Sequence, residues 1–227
     1  MNKKAIIIFA SFLAAFVVTI LLIVFIIPSF KNEDILIKYY NEKVASYEIE
    51  NKSLSNVDVA FIGDSITDGY DIKTYYPQLN AVNRGIGGDT TTGVLNRLKV
   101  SLYDISPKVI VMCIGGNNLD SMMENYDDIL QGIKDNLPNS KVIVCSLYPT
   151  AYLFSDRNEQ ILSINAELKT LTQSFNYAYY DMYSIMVDGE TKQFDLDYTS
   201  DGLHPNKLAY EKITEALTPV ITSLLTD

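Results

Sequence analysis

The sequence predicts an α/β domain built on a parallel sheet with helices on both faces. Short apolar runs alternate along the chain with segments of helical periodicity. These runs are solidly apolar and do not alternate with polar residues, which indicates strands buried on both faces of a sheet. Functional groups in such sheets gather at the carboxyl ends of the strands.

Each element of this α/β class can be placed on the chain. The strand candidates are residues 57–62, 81–83, 109–114, 141–146 and 177–181. The helix candidates are residues 90–102, 122–137, 158–175 and a closing helix from Asn206 that Pro219 is expected to interrupt. The stretch from Met182 to Ser200 is predicted as one long loop, which makes it a candidate for substrate contact.

The charge balance excludes one class of partner. The chain has 18 basic and 28 acidic residues, a net charge of −10. Residues 1–30 hold only Lys3 and Lys4 of these, so the remainder has 16 basic against 28 acidic residues, a net charge of −12. A body this acidic is repelled by phosphate backbones, and we expect no nucleic-acid partner.

The N-terminus carries an apolar segment of membrane-spanning length. Residues 5–27 are 23 residues without a charge, which as a helix would extend about 34 Å. Lys3 and Lys4 before it favour a cytoplasmic N-terminus and an exported body. A cleaved signal peptide is the alternative, but its apolar core is usually shorter and ends in a small-x-small site that this sequence lacks. We therefore expect residues 1–30 to form a cytoplasmic tip and a transmembrane signal anchor, residues 31–56 a stalk, and residues 57–227 the globular domain.

The two cysteines, Cys113 and Cys145, each lie inside an apolar run. They are predicted to be buried small hydrophobic residues, because two cysteines are fewer than most disulfide frameworks use. A nucleophilic or metal-binding thiol has little support, because the only histidine of the chain has another predicted role.

Glycine-rich polar clusters follow the predicted strands. They occupy residues 63–69, 83–90 and 115–118, and a further cluster occupies residues 201–205 near the C-terminus. Glycines at strand ends let the backbone turn tightly and leave N–H groups facing a ligand. The polar residues of these clusters are therefore expected to meet at one edge of the sheet.

This set of residues suits acyl transfer by a serine. Such chemistry needs a hydroxyl, a base, an acid that orients the base, and donors for the tetrahedral oxyanion. Ser65 supplies the hydroxyl at a strand-to-helix turn, and His204 supplies a side chain that can act as a base near neutral pH. Asp201 lies three residues before His204, close enough to orient the imidazole. The Ser65 N–H, the Gly88 N–H and the Asn117 amide are the candidate oxyanion donors.

The four clusters, in this order, resemble the blocks of the SGNH, or GDSL-type, esterase and lipase family. Residues 63–67 resemble the first block, residues 87–90 the second, 115–117 the third and 201–204 the last. The run over residues 83–89 is especially similar to the platelet-activating-factor acetylhydrolase branch. One departure is Asn118, where many members have Asp. The resemblance implies a flavodoxin-like three-layer α/β/α fold with a sheet of about five strands, and no cofactor.

One acidic segment looks at first like a metal site. Asp197, Thr199, Asp201 and Gly202 begin like a calcium-binding loop, but Leu208 stands at the twelfth position, where glutamate is required. We expect a solvated acidic loop and no metal. Single tyrosines near the predicted site, such as Tyr148 and Tyr152, are expected to pack normally, and a substrate-contacting role for one or two stays open.

These observations predict a membrane-anchored, extracytoplasmic serine ester hydrolase with a triad of Ser65, His204 and Asp201. Its substrate would be a small-molecule, glycan or lipid ester. One alternative is an acyltransferase that uses the same triad to acylate a surface glycan. Another is a non-catalytic surface-anchored binding module with the same fold. The sequence does not indicate an oligomeric state.

Overall fold

The computed structural model describes residues 27–226, with side chains from Asp34 onward. Nearly all of the predicted transmembrane segment lies outside these residues. Within the described part of the chain, no helix is both long enough and apolar enough to cross a membrane. Helix α1 covers Ile27–Asn51, and the compact body begins inside it, at Glu42.

The body contains a five-stranded parallel sheet, which confirms the predicted class. The strands are β1 (Val59–Gly63), β2 (Ala81–Gly85), β3 (Val109–Cys113), β4 (Lys141–Cys145) and β5 (Ala178–Tyr180). Their order is β2-β1-β3-β4-β5, and every neighbouring pair is parallel. This flavodoxin-like order places the topological switch point between β1 and β3, where open α/β sheets bind ligands beyond the carboxyl ends of the strands.

Helices connect the strands and cover the sheet. After α1 they are α2 (Ser65–Asp68), α3 (Ile72–Tyr75), α4 (Thr91–Asn96), α5 (Tyr126–Asn136), α6 (Asn158–Ser174), α7 (Met182–Met186) and α8 (Lys207–Thr226). A π-helical turn covers Lys99–Tyr103, and 3₁₀ turns cover Met122–Asn125 and Tyr152–Arg157.

Side chains of each strand alternate between two apolar layers, which confirms the three-layer arrangement. In β1, Ala60 and Ile62 belong to one layer, while Val59 and Phe61 belong to the other. All five residues of β1 are buried. Burial on both faces explains why this strand is a solid apolar run in the sequence.

Two predictions about the C-terminal part are wrong. Pro219 does not interrupt the closing helix, because α8 continues through it to Thr226. Pro219 is exposed, while Ile213, Leu217 and Ile221 are buried before and after it, so packing on the sheet holds the two halves of the helix in line. The predicted long loop also begins with the short helix α7.

The end of α1 packs against the end of β2. Tyr47, 4% exposed, donates a hydrogen bond of 2.6 Å to the carbonyl oxygen of Gly85. Asn51 accepts a hydrogen bond of 2.8 Å from Arg84, and Glu50 forms a salt bridge with the same guanidinium. Part of the segment predicted as a stalk is therefore built into the body.

Candidate active site

Two hydrogen bonds join Ser65, His204 and Asp201. Ser65 directly follows the turn at the end of β1 and is the first residue of α2. Its Oγ lies 3.0 Å from Nε2 of His204. Nδ1 of His204 lies 2.7 Å from Oδ2 of Asp201. The structure thus brings together the three residues that the sequence separates by up to 139 positions.

Asp201 is held as a carboxylate by several donors. Its Oδ1 accepts hydrogen bonds from the backbone N–H groups of Leu203, at 2.9 Å, and His204, at 2.8 Å. Burial alone would raise the pKa of Asp201, but the backbone and imidazole hydrogen bonds from His204 and the Leu203 N–H outweigh it and lower the pKa well below its usual range. A carboxylate that stays ionised can orient the imidazole and stabilise its protonated form.

The turn that carries Asp201 and His204 depends on a glycine. Gly202 has a φ of 83°, which side chains disfavour. Its carbonyl oxygen accepts a hydrogen bond of 2.9 Å from Ala151 N–H. A Cβ at this position would lie 2.6 Å from the carbonyl oxygen of Ala151, so only glycine fits here without a shift of the backbone.

The three candidate oxyanion donors lie just beyond the carboxyl ends of β1, β2 and β3. Ser65 and Asn117 line one cavity together, whereas Gly88 lies outside its walls in the adjoining turn, with a φ of 78°. One N–H of the Asn117 amide donates 2.8 Å to the carbonyl oxygen of Asp89, and this bond connects the two loops. Because an amide nitrogen has two N–H groups, the other can donate to a further acceptor.

Asn118, the departure from the family pattern, has a structural role in the same region. Its Oδ1 accepts a hydrogen bond of 3.3 Å from Thr91 N–H, and its Nδ2 donates 3.0 Å to Thr91 Oγ1. The side chain thereby joins the loop after β3 to the start of α4, which an amide can do with both a donor and an acceptor.

A buried arginine that sequence reasoning missed supports the same loops. Arg97 is 1% exposed and donates from Nε to Asp89 Oδ2 at 2.8 Å. It also donates to the carbonyl oxygens of Arg84, at 2.8 Å, and Gly63, at 3.0 Å. Burial raises the pKa of Asp89, and the charge of Arg97 opposes that rise. Arg97 lies three residues after Val94 in the predicted helix, so helical spacing places it beside an apolar position, which was the available signal.

Both polar and apolar residues line the cavity in front of Ser65. Ser65, Asn117 and His204 are among the polar residues of this serine cavity, whose volume is about 80 Å³. Its apolar walls include Leu119, Leu147, Tyr148, Pro149 and Ile161. This arrangement places a hydroxyl, a base and an N–H donor around one small apolar space, as an ester carbonyl and its acyl group require.

A second depression adjoins the serine cavity and is mainly polar. This polar cleft measures about 340 Å³. Asn118, Asp120, Ser121 and Gln160 line it, and it shares Asn117 and Arg157 among other residues with the serine cavity. Residues 188–196 of the predicted contact loop line neither space and border a separate depression. No residue of 182–200 lines the serine cavity, and the substrate contact of this loop stays a prediction.

The thiols near the site are buried and protonated. Cys113 borders the serine cavity, but burial raises its pKa well above the usual range. Burial likewise raises the pKa of Cys145 to about 12, and neither residue forms a disulfide. A protonated thiol is a poor nucleophile, which argues against a cysteine nucleophile in this cavity. Among the described residues, no group of three His, Cys, Asp or Glu is arranged to hold a metal ion.

Comparisons with known proteins show to which family the chain belongs. Residues 61–212 match the model of the GDSL-like lipase/acylhydrolase family. The chain is 35% identical to the platelet-activating factor acetylhydrolase IB subunit alpha2 of Rattus norvegicus, over 74% of this chain and 77% of the relative. A GDSL-like lipase from Bacteroides thetaiotaomicron superposes with a TM-score of 0.72 at 25% identity, covering 82% of this chain and 98% of the other.

A further solved structure shows the same fold at lower identity. It is a protein of Streptococcus pneumonia with a TM-score of 0.79 and 23% identity, covering 86% of this chain and 98% of its own. The family match covers all four motif blocks, since each of them lies between residues 61 and 212. The predicted resemblance is thus confirmed, and the chain belongs to the GDSL-like lipase/acylhydrolase family of enzymes that hydrolyse carboxylic esters.

Proposed function

We propose that this enzyme is a membrane-anchored, extracytoplasmic serine esterase in which Ser65 is the nucleophile, His204 the general base and Asp201 the residue that orients His204. The observation that carries the proposal is the pair of hydrogen bonds, 3.0 Å and 2.7 Å long, that connects the three side chains in that order. Nucleophile, base and orienting acid within hydrogen-bond reach are the geometric signature of such a triad.

In the proposed acylation step, Ser65 Oγ attacks the ester carbonyl carbon and its proton moves to His204 Nε2. Asp201 accepts the hydrogen bond from Nδ1–H and stabilises the imidazolium that forms. The carbonyl oxygen becomes an oxyanion, which the Ser65 N–H, the Gly88 N–H and the Asn117 amide are proposed to hold. The bond to the alcohol oxygen then breaks, and His204 gives its proton to the departing alcohol.

Deacylation repeats these steps with water. A water molecule attacks the acyl carbon on Ser65 while His204 takes its proton. The bond from the acyl carbon to Ser65 Oγ breaks, and His204 returns the proton to that oxygen. One ester and one water become one acid and one alcohol, so the proposed cycle balances with the residues of this chain and no cofactor.

The two spaces beside Ser65 suggest where each half of the ester binds. The apolar walls of the serine cavity suit the acyl group, and a volume of about 80 Å³ is far below the roughly 300–1,000 Å³ of a drug-sized site. A short acyl group therefore fits best. The acetylhydrolase named among the relatives supports this size. The polar cleft, at about 340 Å³, is proposed to take the alcohol part, such as a sugar or a lipid headgroup.

The proposed location follows from the N-terminal sequence. Residues 1–30 are proposed to form a cytoplasmic tip and a single membrane-spanning anchor, because 23 uncharged residues follow Lys3 and Lys4. The stalk and the hydrolase domain that follow would then lie outside the cytoplasmic membrane. Protease added to intact cells is expected to degrade the body and to leave the anchor in the membrane. Protection of the body would contradict this topology.

Activity is tested with the full chain in detergent and 4-nitrophenyl esters of two to eight acyl carbons. We expect fastest hydrolysis of the shortest esters. The polar cleft is also the feature that favours the alternative, acyl transfer, because it can hold an acceptor hydroxyl in place of water. Product analysis with and without an added oligosaccharide separates the two reactions. An acylated sugar in place of free acid would identify a transferase, and no turnover of any ester would contradict both.

A further inference from the structure

We propose that Arg157 makes this enzyme selective for esters whose alcohol part carries an anionic oxygen group, a carboxylate or a phosphate, close to the scissile bond. The inference rests on the proposed esterase function and adds a substrate class to it. Three observations support it: Arg157 lies between the serine cavity and the polar cleft, it forms no salt bridge among the described residues, and hydrogen bonds fix its loop.

Arg157 lies where the two substrate spaces meet. It is the last residue of the 3₁₀ turn Tyr152–Arg157. Arg157 lines the serine cavity together with Ser65 and His204, and it also lines the polar cleft. An alcohol group that extends from the ester at Ser65 into the cleft therefore passes Arg157.

The charge of Arg157 is not already used by the protein. The chain has three arginines, and the other two, Arg84 and Arg97, are buried and paired with Glu50 and Asp89. Within the described residues, Arg157 is exposed and forms no salt bridge. Its guanidinium lies over the ring of Phe154, 5.0 Å from the centroid, and this contact orients its planar fork of N–H donors.

The loop that carries Arg157 is fixed relative to the triad. Asn158, the next residue, accepts 2.8 Å from Thr150 N–H and donates 2.8 Å to the Thr150 carbonyl oxygen. Ala151 N–H donates 2.9 Å to the carbonyl oxygen of Gly202, between Asp201 and His204. Since these bonds join the loop to the catalytic turn, little ordering is needed before an anion can bind at Arg157.

The surrounding charges sharpen the selection. A chain of net charge −10 repels an anion, so the anion binds favourably only where a cation offsets this repulsion. Asp120 lines the polar cleft but not the serine cavity, and its Oδ1 accepts 2.7 Å from Gln160. The carboxyl that lines the serine cavity, Asp64, is only 4% exposed, so a single anion near the ester meets the exposed charge of Arg157, while a group with further negative charges would meet Asp120.

The test compares three acetyl esters that differ in one substituent. They are 4-acetoxybenzoate, 4-acetoxyphenyl phosphate and uncharged 4-acetoxybenzamide. The measured quantity is the ratio of kcat/KM for an anionic ester to kcat/KM for the amide. In Arg157→Gln, we expect this ratio to fall about tenfold or more, because one charge-assisted hydrogen bond is lost. We expect this fall mainly through a higher KM. Arg157→Lys is expected to restore part of the ratio, because it keeps the charge but not the planar fork.

A matched control removes the same charge elsewhere. Lys141→Gln alters the exposed first residue of β4, at the end of the strand opposite the site, and is expected to leave the ratio unchanged. A fall for the carboxylate alone, or for the phosphate alone, identifies which group Arg157 binds. An unchanged ratio in Arg157→Gln, or an equal fall in kcat/KM for all three esters, would overturn the inference about Arg157. Turnover of the amide-substituted ester would still support the proposed esterase function in that case. No turnover of any ester by the wild type would overturn the proposed function itself.

Discussion

Arg97 Nη2 donates a hydrogen bond of 3.0 Å to the carbonyl oxygen of Gly63, two residues before Ser65. The same guanidinium pairs with Asp89, whose carbonyl oxygen accepts from the Asn117 amide. One buried side chain thus connects the strand end next to the proposed nucleophile with the two loops that carry the proposed oxyanion donors Gly88 and Asn117. Arg97 is a positioning residue, since it reaches the site only through these backbone segments.

Arg97→Met is therefore expected to destabilise the fold by about 3–5 kcal/mol, because it leaves Asp89 buried without its charge partner. Urea unfolding measures the change in free energy. Arg157→Met is the matched control, since the same substitution at an exposed arginine should change the free energy by less than about 0.5 kcal/mol. Equal stabilities for the two variants would show that the Arg97 network does not hold the loops.

Gly202→Ala is expected to lower both stability and activity. The new Cβ would lie 2.6 Å from the Ala151 carbonyl oxygen, at a φ of 83°. Strain of about 1–3 kcal/mol should move the turn that carries Asp201 and His204. Gly189→Ala is the control, because no atom lies within 4 Å of a Cβ there. Thermal unfolding and kcat/KM are compared for both variants, and wild-type values for Gly202→Ala would contradict the prediction.

Asp64 should make the stability depend on pH in a direction opposite to that of most carboxylates. Burial raises its pKa from 3.8 to about 6, so the folded protein holds this proton more tightly than the unfolded chain does. Its contribution is therefore favourable at low pH and is lost as the pH rises through about 6.

The variant that tests this is Asp64→Asn, which cannot ionise and can still accept from Ile66 N–H. From pH 5 to pH 7.5, we expect the free energy of unfolding of Asp64→Asn to gain about 1 kcal/mol relative to the wild type. Urea unfolding of both proteins at the two pH values measures the difference. A difference that stays constant, or that shrinks as the pH rises, would contradict a raised pKa for Asp64.

Tyr148 should limit the length of the acyl group. It borders the serine cavity and also a smaller apolar space of about 20 Å³, and Ile66 and Cys113 border both. The smaller side chain in Tyr148→Leu should join the two spaces. We therefore expect kcat/KM for butyrate and hexanoate esters to rise several-fold relative to that for acetate esters, because one or two more methylene groups would be buried. Tyr152→Leu is the control, because Tyr152 is exposed and outside the serine cavity. An unchanged chain-length profile in Tyr148→Leu would contradict the role of this wall.

The sequence predicted the sheet well because burial on both faces leaves a clear signal. The solid apolar runs of β1 and β3 each end at a glycine-rich cluster, so the positions of Ser65 and Asn117 at one edge followed from the parallel class. The closeness of Asp201 and His204 to that edge followed from the resemblance, because no periodicity places a C-terminal turn beside β1.

Other features could not be predicted because tertiary contacts decide them. Pro219 alone predicts a break, but buried neighbours on both sides keep α8 continuous. The polar sequence around Glu50 and Asn51 predicts a stalk, and contacts with Arg84 and Gly85, far away in the sequence, make it part of the body. Arginine is usually exposed to solvent, so the sequence does not predict that Arg97 is buried. Its role depends on carbonyl groups more than 12 positions away in the sequence.

The central claim is that Ser65 is the nucleophile, and Ser65→Ala tests it most directly. With acetyl ester as substrate, we expect kcat to fall by about four orders of magnitude or more, since removing one triad member disables the whole unit. Ser184→Ala, an exposed serine on α7, is the matched control and should keep wild-type kcat. Unfolding curves of both variants should match the wild type. A folded Ser65→Ala enzyme that kept more than a few per cent of wild-type kcat would contradict the claim.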